Sequence, residues 1–185
     1  MRTKQSYVRE YAVFAMLGTI MFLSKLVMEF LPNIHLVGIL TVIYTIVFRH
    51  RALIPIYVCV ALVGLFYGFS MWWLPYLYIW TILWGAIMLV PRGIPKTAAR
   101  IIHPVIACLH GLLYGVLYAP AQALLFKLNL EGTIAWIIAG FPFDLMHGIG
   151  NLALGVLIPP LTVLLTRLSH GIGIPAAPSP FSPGD

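Results

Sequence analysis

Charge is what this 185-residue chain has least of. Lys, Arg, Asp and Glu together make up 9% of it, and only five residues are acidic. A soluble domain carries about a quarter charged residues, so a water-exposed globule is excluded. The 61% hydrophobic content and mean hydropathy of +0.98 point instead to an integral membrane protein. Cysteine is nearly absent. Cys59 and Cys108 fall inside apolar runs, where a small packing role is favoured over a disulfide, and they say little about redox compartment. Nucleotide and metal signatures are missing too. With no Gly-x-x-x-x-Gly-Lys-Ser/Thr loop, energy for any active transport has to come from partners. No His-Glu-x-x-His marks a metal hydrolase, and no motif calls for a cofactor or metal. The basic N-terminus is followed by no small-x-small cleavage site, so the first apolar run is expected to be a retained helix.

What the chain does have is apolar runs bounded by charges and turn residues. Six are candidate spans: 11–28, 34–48, 52–69, 75–90, 101–126 and 134–158. They predict an all-α, six-helix membrane bundle over residues 1–170, followed by a Pro-rich tail, 171–185, expected to be disordered. The second span is short. Its length gives a rise of only about 22 Å against roughly 30 Å of hydrocarbon, so the loop before it is expected to dip into the protein. On an even-span arrangement, nine of the eleven basic residues (Arg2, Lys4, Arg9, Arg49, Arg51, Arg92, Lys96, Arg100 and Arg167) share one side, and Lys25 and Lys127 hold the other. Basic residues accumulate in the cytoplasm, so both termini are expected there, in the cell membrane. The pI of 9.6 needs no nucleic acid.

The costliest segment is Gly140-Phe-Pro-Phe-Asp-Leu-Met-His-Gly-Ile-Gly-Asn151, which puts Asp144, His147 and Asn151 inside an apolar run. A charge at the centre of a membrane helix costs about 2.5–3.5 kcal/mol and reads as functional unless a structural partner explains it. At helical spacing these three residues fall on one face with Gly148 and Gly155, a polar and open wall suited to a pocket. Pro142 either starts the last helix, leaving 131–139 as a short surface helix, or kinks a longer one; in the first case Asp144 sits at a helix N-terminus. Pro159-Pro160 is expected to kink or end the sixth span. The fifth span carries a second polar side: His103, His110, Tyr114, Tyr118 and Gln122, the last three nearer the outer end.

Aromatics cluster around the third outer loop and fourth span. Interfacial anchoring explains one of Trp72 and Trp73, and Tyr78. Tyr76, Trp80 and Trp84 share a deeper face that either stacks on a planar ligand or packs in the core. In the first outer loop, Glu29, Asn33 and His35 either cap the pocket or face water, and Lys25 is spaced to pair with Glu29. The two Gly-x-x-x-Gly stretches, 64–68 and 111–115, read as helix packing.

Six spans in under 200 residues, the loop Glu29-Phe-Leu-Pro-Asn-Ile-His-Leu36, the stretch Tyr67-Gly-Phe-x-x-Trp-Trp73 and Pro142-Phe-Asp-Leu-Met-His-Gly-Ile-Gly-Asn151 resemble the substrate-binding S component of energy-coupling factor (ECF) transporters, over about residues 11–167. The resemblance implies a membrane-embedded binder for a vitamin or similar micronutrient. It would topple in the bilayer to deliver its cargo, docked on a transmembrane coupling subunit driven by two cytoplasmic ATPase subunits. It also implies an outward pocket built from the first, third and fifth loops and the outer halves of the fourth to sixth helices. The candidate residues Glu29, Asn33, His35, Tyr76, Trp80, Trp84, Tyr114, Tyr118, Gln122, Asp144, His147 and Asn151 fall in those regions. The family's first helix often docks through Ala-x-x-x-Ala; here Ala12, Ala15 and Gly18, spaced by three, stand in its place. Two rivals remain: an intramembrane enzyme using Asp144 and His147 with His110 as an acid/base or metal set, and an accessory subunit in which the Asp144 ladder is interhelical glue.

Overall fold

The computed structural model describes residues 4–31 and 33–182; Arg2 and Pro32, used above, lie outside them. Every regular element among the described residues is helical. The α-helices are α1 (Lys4–Val27), α2 (Val37–Phe48), α3 (Leu53–Tyr67), α4 (Tyr76–Leu89), α5 (Lys96–Leu112), α6 (Tyr114–Phe126), α7 (Leu130–Leu154) and α8 (Ile158–Gly171), with short 3-10 turns at Arg49–Ala52, Met71–Trp73 and Gly155–Leu157. Consecutive helices join into five stretches long and apolar enough to cross a membrane: Lys4–Val27, Val37–Tyr67, Met71–Leu89, Lys96–Phe126 and Leu130–Gly171. The chain is all-helical, with the composition of a multi-pass membrane protein.

The centre is α2, all of whose residues are buried. A helix that is apolar all round is stable only when surrounded, and α1, α4, α5, α7 and α8 surround it. Its Thr41 and Thr45 hydroxyls donate back to the carbonyls of Val37 and Thr41, at 2.8 and 2.6 Å, so neither polar group is left orphaned. Arg49 then takes a left-handed conformation, φ 56°, and the chain folds back on itself within Val37–Tyr67. Phe48 meets Phe14 edge to face at 5.0 Å and Arg51 pairs with Glu10, both in the first half of α1. Tyr67, at the far end of α3, donates to Glu29 just beyond the end of α1 at 3.0 Å. So α3 runs alongside α1 in the same direction, and α2 runs against both. The loop before α2 does enter the protein: Ile34 packs so closely on Gly150 of α7 that a Cβ there would lie 3.1 Å from its side chain.

Of the two readings of Pro142, the one in which a single helix runs through it is the one found. Pro142 neither starts a helix nor follows a separate surface helix over 131–139, because α7 runs unbroken through it from an Asn129 cap whose side chain accepts the Gly132 N–H at 2.8 Å. Pro159 and Pro160 sit in the first turn of α8, where a missing N–H costs little. The tail, expected to be disordered, packs on the bundle as far as Ser182. Ile174 and Phe181 are buried, and Ala177 N–H donates to the Val47 carbonyl at 2.8 Å. Arg9 and Arg51 bind the carbonyls of Ile172 and Pro175 at 3.0 and 2.6 Å. The Ile172 and Pro175 carbonyls accept from these arginines, and the two apolar side chains anchor the tail. Both ends of the described chain therefore lie at one end of the bundle.

Helices α5 and α7 pack closely along their length. A Cβ on Gly111 would come within 2.8 Å of the Gly148 backbone, a contact distance open only to glycine. This approach fixes the depth of the residues on either side.

Candidate binding site

Six rings from five elements meet at the end of the bundle opposite the chain ends. Trp80, buried in α4, is the hub: its ring centroid lies 6.1 Å from His35, 6.2 Å from Tyr76, 5.6 Å from His110 and 6.0 Å from Tyr114. His147 of α7 closes the set, 5.0 Å from both His35 and Tyr114. The first loop supplies His35, α4 supplies Tyr76 and Trp80, α5 His110, α6 Tyr114 and α7 His147. The candidates His35, Tyr76, Trp80, Tyr114 and His147 are thus brought together, and His110 joins them.

Arg49 Nε and the Thr162 and Thr166 hydroxyls, outside this cluster, are buried without a partner among the described residues, and so are three nitrogens within it. Buried polar atoms in native proteins nearly always have partners, yet His35 Nδ1, His110 Nδ1 and His147 Nε2 are buried with none among the described residues. For His110 the tautomer follows from its other nitrogen. Nε2 lies 3.1 Å from the Ile79 carbonyl, which only accepts, so Nε2 carries the proton and Nδ1 presents a bare lone pair. Burial pushes the His35 imidazole down to about 4, and the Lys25 charge adds to this, so it is neutral near pH 7. No group of three or more His, Cys, Asp or Glu side chains among the described residues is arranged to hold a metal ion.

Above the rings an open vestibule of about 260 Å³ is lined by Lys25, Glu29, Asn33, Ile34, His35 and Tyr76, with Met28 and Leu31. Below it, a void of about 10 Å³ lies between Lys25, His35, Cys59, Val63, Tyr76 and Trp80, room for one water at most. Lys25, His35 and Tyr76 line both and form the throat between them. The charges at the mouth converge on Tyr67: Lys25 Nζ stands 4.4 Å over its ring, and Glu29 accepts its hydroxyl. Asn33 is exposed in a left-handed turn, φ 55°.

Asp144 has a structural partner. Its Oδ2 accepts the Gly115 N–H at 2.9 Å. Leu113 interrupts the helix between α5 and α6, which leaves Gly115 among the orphan donors of a first turn, and a carboxylate there is also favoured by the helix dipole. A Cβ at Gly115 would lie 2.4 Å from that oxygen, so any larger residue there has to displace the carboxylate. Asn151, one face further on, donates to the Ala107 carbonyl at 3.0 Å and packs on Gly38, tying α7 to α5 and α2.

Other candidates sit elsewhere. Trp84, one turn from Trp80, donates its indole N–H to the Arg49 carbonyl at 3.0 Å, at the end of the bundle that holds the chain termini; it is no part of the ring cluster, because the chain reversal at Arg49 leaves a carbonyl there to be satisfied. Tyr118 donates to the Trp72 carbonyl and stacks on Trp136 at 5.7 Å, bracing the edge of the cluster. Gln122 lies two turns beyond Tyr114, half-buried. Ala12 and Ala15 are exposed on α1, but Gly18 is buried against α3, where a Cβ would meet Val58 at 2.6 Å, so it belongs to internal packing and not to a docking face. His103 binds the Ala99 carbonyl at 2.8 Å and meets Phe181, far from the site.

Lys25 at the throat and Trp136 behind Tyr118 were not among the sequence candidates. The alternation of Lys25 and Glu29 at one-turn spacing was the available signal for the first; nothing in the pattern marked Trp136. No protein-family model, no curated protein and no solved structure matches this chain.

Proposed function

We propose that this chain is the solute-capture subunit of an energy-coupling factor uptake transporter, an S component that binds a vitamin-like micronutrient from outside the cell. The observation that carries this reading is a ring cluster that gathers three buried histidine nitrogens without a partner among the described residues, one of them, His35, lining the vestibule. Buried polar atoms usually have a partner, and three in one ring cluster call for water or a solute to supply it. Ligand sites are of this kind: mostly apolar and aromatic, with a few polar groups aimed inward.

The same atoms describe the solute. The rings favour a planar face, and the bare Nδ1 of His110 asks for an N–H or O–H donor. The one carboxylate nearby, Asp144, is held by Gly115, and the mouth charges Lys25 and Glu29 both lie on Tyr67. The void among the rings holds one water at most, so in this reading the rings part to admit an uncharged, donor-bearing planar ring, and any charged substituent stays in the vestibule beside Lys25.

In this reading the chain crosses the membrane six times, the fold-back at Arg49 supplying the second and third crossings. Both termini are cytoplasmic, and the vestibule faces out. Arg9, Arg51, Arg92 and Arg167 all belong to the end that carries the termini, as the positive-inside rule requires. Energy comes from a coupling subunit and two ATPases, with Ala12 and Ala15 on the exposed side of α1 available to the coupling subunit.

The test is a native mass spectrum of the full chain released gently from the membranes in which it was made. A co-purified small molecule of one fixed mass is expected, lost in His147→Ala and retained in His103→Ala. Wild-type protein free of any small molecule, and unable to bind one from a solute extract, would overturn the proposal; turnover of a substrate by the isolated chain would favour an enzyme.

A further inference from the structure

A second cavity system lies on the outside of the bundle, at the end that holds the chain termini. A groove of about 590 Å³ runs between α5 and the α7–α8 junction, walled by Ile101, Pro104, Val105, Leu152 and Val156. A second of about 480 Å³ is lined by Lys96, Val163, Leu164, Arg167 and Phe181. The two share Arg100, Pro159 and Pro160, so they form one continuous trough.

Its shape follows from the junction. At Gly155 the helices touch: a Cβ there would lie 2.6 Å from the Pro104 side chain. Beyond that point the 3-10 turn and the two prolines redirect the chain into α8, which packs chiefly on α2, and a wedge opens beside α5. The walls at one end are apolar and face outward; Ile101 and Val156 are 60% and 73% exposed. At the other end stand three cations, Lys96 and Arg100 one turn apart on α5 and Arg167 across from them on α8, all exposed. Among the described residues, no acidic side chain lines either part.

We infer that this trough binds an anionic phospholipid, its phosphate held by Arg100, Arg167 and Lys96 and an acyl chain laid along the apolar walls. Charge complementarity selects the occupant. A bare apolar groove would take any lipid tail, but a triple-cation rim at headgroup depth selects a negative headgroup, and basic pockets between membrane helices on the cytoplasmic side bind such lipids. Arginine suits the phosphate because its planar fork donates two parallel hydrogen bonds. The inference does not depend on what the ring cluster binds.

The experiment is native mass spectrometry of the full chain titrated with phosphatidylglycerol or phosphatidylcholine of identical acyl chains, at equal concentration. Wild-type protein is expected to retain one phosphatidylglycerol at about tenfold lower concentration than phosphatidylcholine. Arg100→Gln/Arg167→Gln should bring the two lipids to parity, and Lys96→Gln alone should narrow the gap. Val156→Trp, which fills the apolar end, should weaken both lipids. Equal retention of the two lipids by wild-type protein, or an unchanged preference in a double variant whose helical circular dichroism matches wild type, would overturn the inference. So would full displacement by millimolar inorganic phosphate, which would make this a phosphate site without a lipid.

Discussion

At the scale of single residues, the intramembrane Asp144 is explained by one N–H. Its carboxylate caps the turn that begins at Gly115, so Asp144→Ala is expected to destabilise the protein by about 1–2 kcal/mol, and Asp144→Asn, which keeps an acceptor oxygen, by clearly less. Thermal unfolding in detergent measures both, and equal losses would refute the capping role. Gly115→Ala is expected to be at least as damaging as Asp144→Ala, because the added carbon occupies the site of Oδ2. His35 sets a pH response. Its imidazole titrates at about 4 in the folded chain against 6.5 unfolded, so the folded state binds fewer protons. Its contribution is complete above pH 6.5 and is lost as pH falls from 6.5 toward 4, by on the order of 3 kcal/mol at most. Unfolding measured at pH 7.5 and pH 4.5 should therefore show an acid loss that His35→Gln reduces.

At the scale of elements, α2 behaves as a core rather than a lipid-facing helix. Ile43→Ala removes packed methyl groups with no lipid to replace them, and a loss of about 2–5 kcal/mol is expected. Ile20→Ala, on the half-exposed side of α1, should change stability by no more than about 0.5 kcal/mol. A denaturation series comparing the two checks this. Elements are also where the sequence was most informative, with identifiable losses. Apolar runs located most of the helices but missed α8 and the break between α5 and α6, and the polar face of 144, 147 and 151 points inward as helical spacing requires. Spacing gives direction around a helix but not depth or partner. Trp84 shares a face with Trp80 yet meets the Arg49 carbonyl, which became available only because Arg49 reverses the chain. Gly18 looked like surface because Ala12 and Ala15 share its spacing, but which side of α1 meets α3 is set by Val58 and Pro55, forty residues away. Asp144 read as a pocket wall because the break at Leu113, which frees the Gly115 N–H, leaves no mark in composition.

At the scale of the whole molecule, the two ends of the bundle do different things. One end is sealed by the tail: Arg9 and Arg51 grip its carbonyls, and Phe181 is buried against His103. Hydrogen exchange should show the Ala177 amide protected along with α2, and a chain cut after Gly171 should lose that protection together with about 1–3 kcal/mol of stability, the worth of burying one or two large apolar side chains. The opposite end holds an open vestibule, with Lys25, His35 and Tyr76 between it and the small void beside Trp80. The most direct test of the ring cluster as the capture site follows Trp80. Solute is extracted from the purified chain, and the stripped protein is titrated with it while tryptophan fluorescence is read. One solute per chain is expected, with a fluorescence change that disappears in Trp80→Phe and binding that is lost in His110→Ala. No saturable change, or binding indifferent to both substitutions, would contradict the assignment of this ring cluster as the capture site.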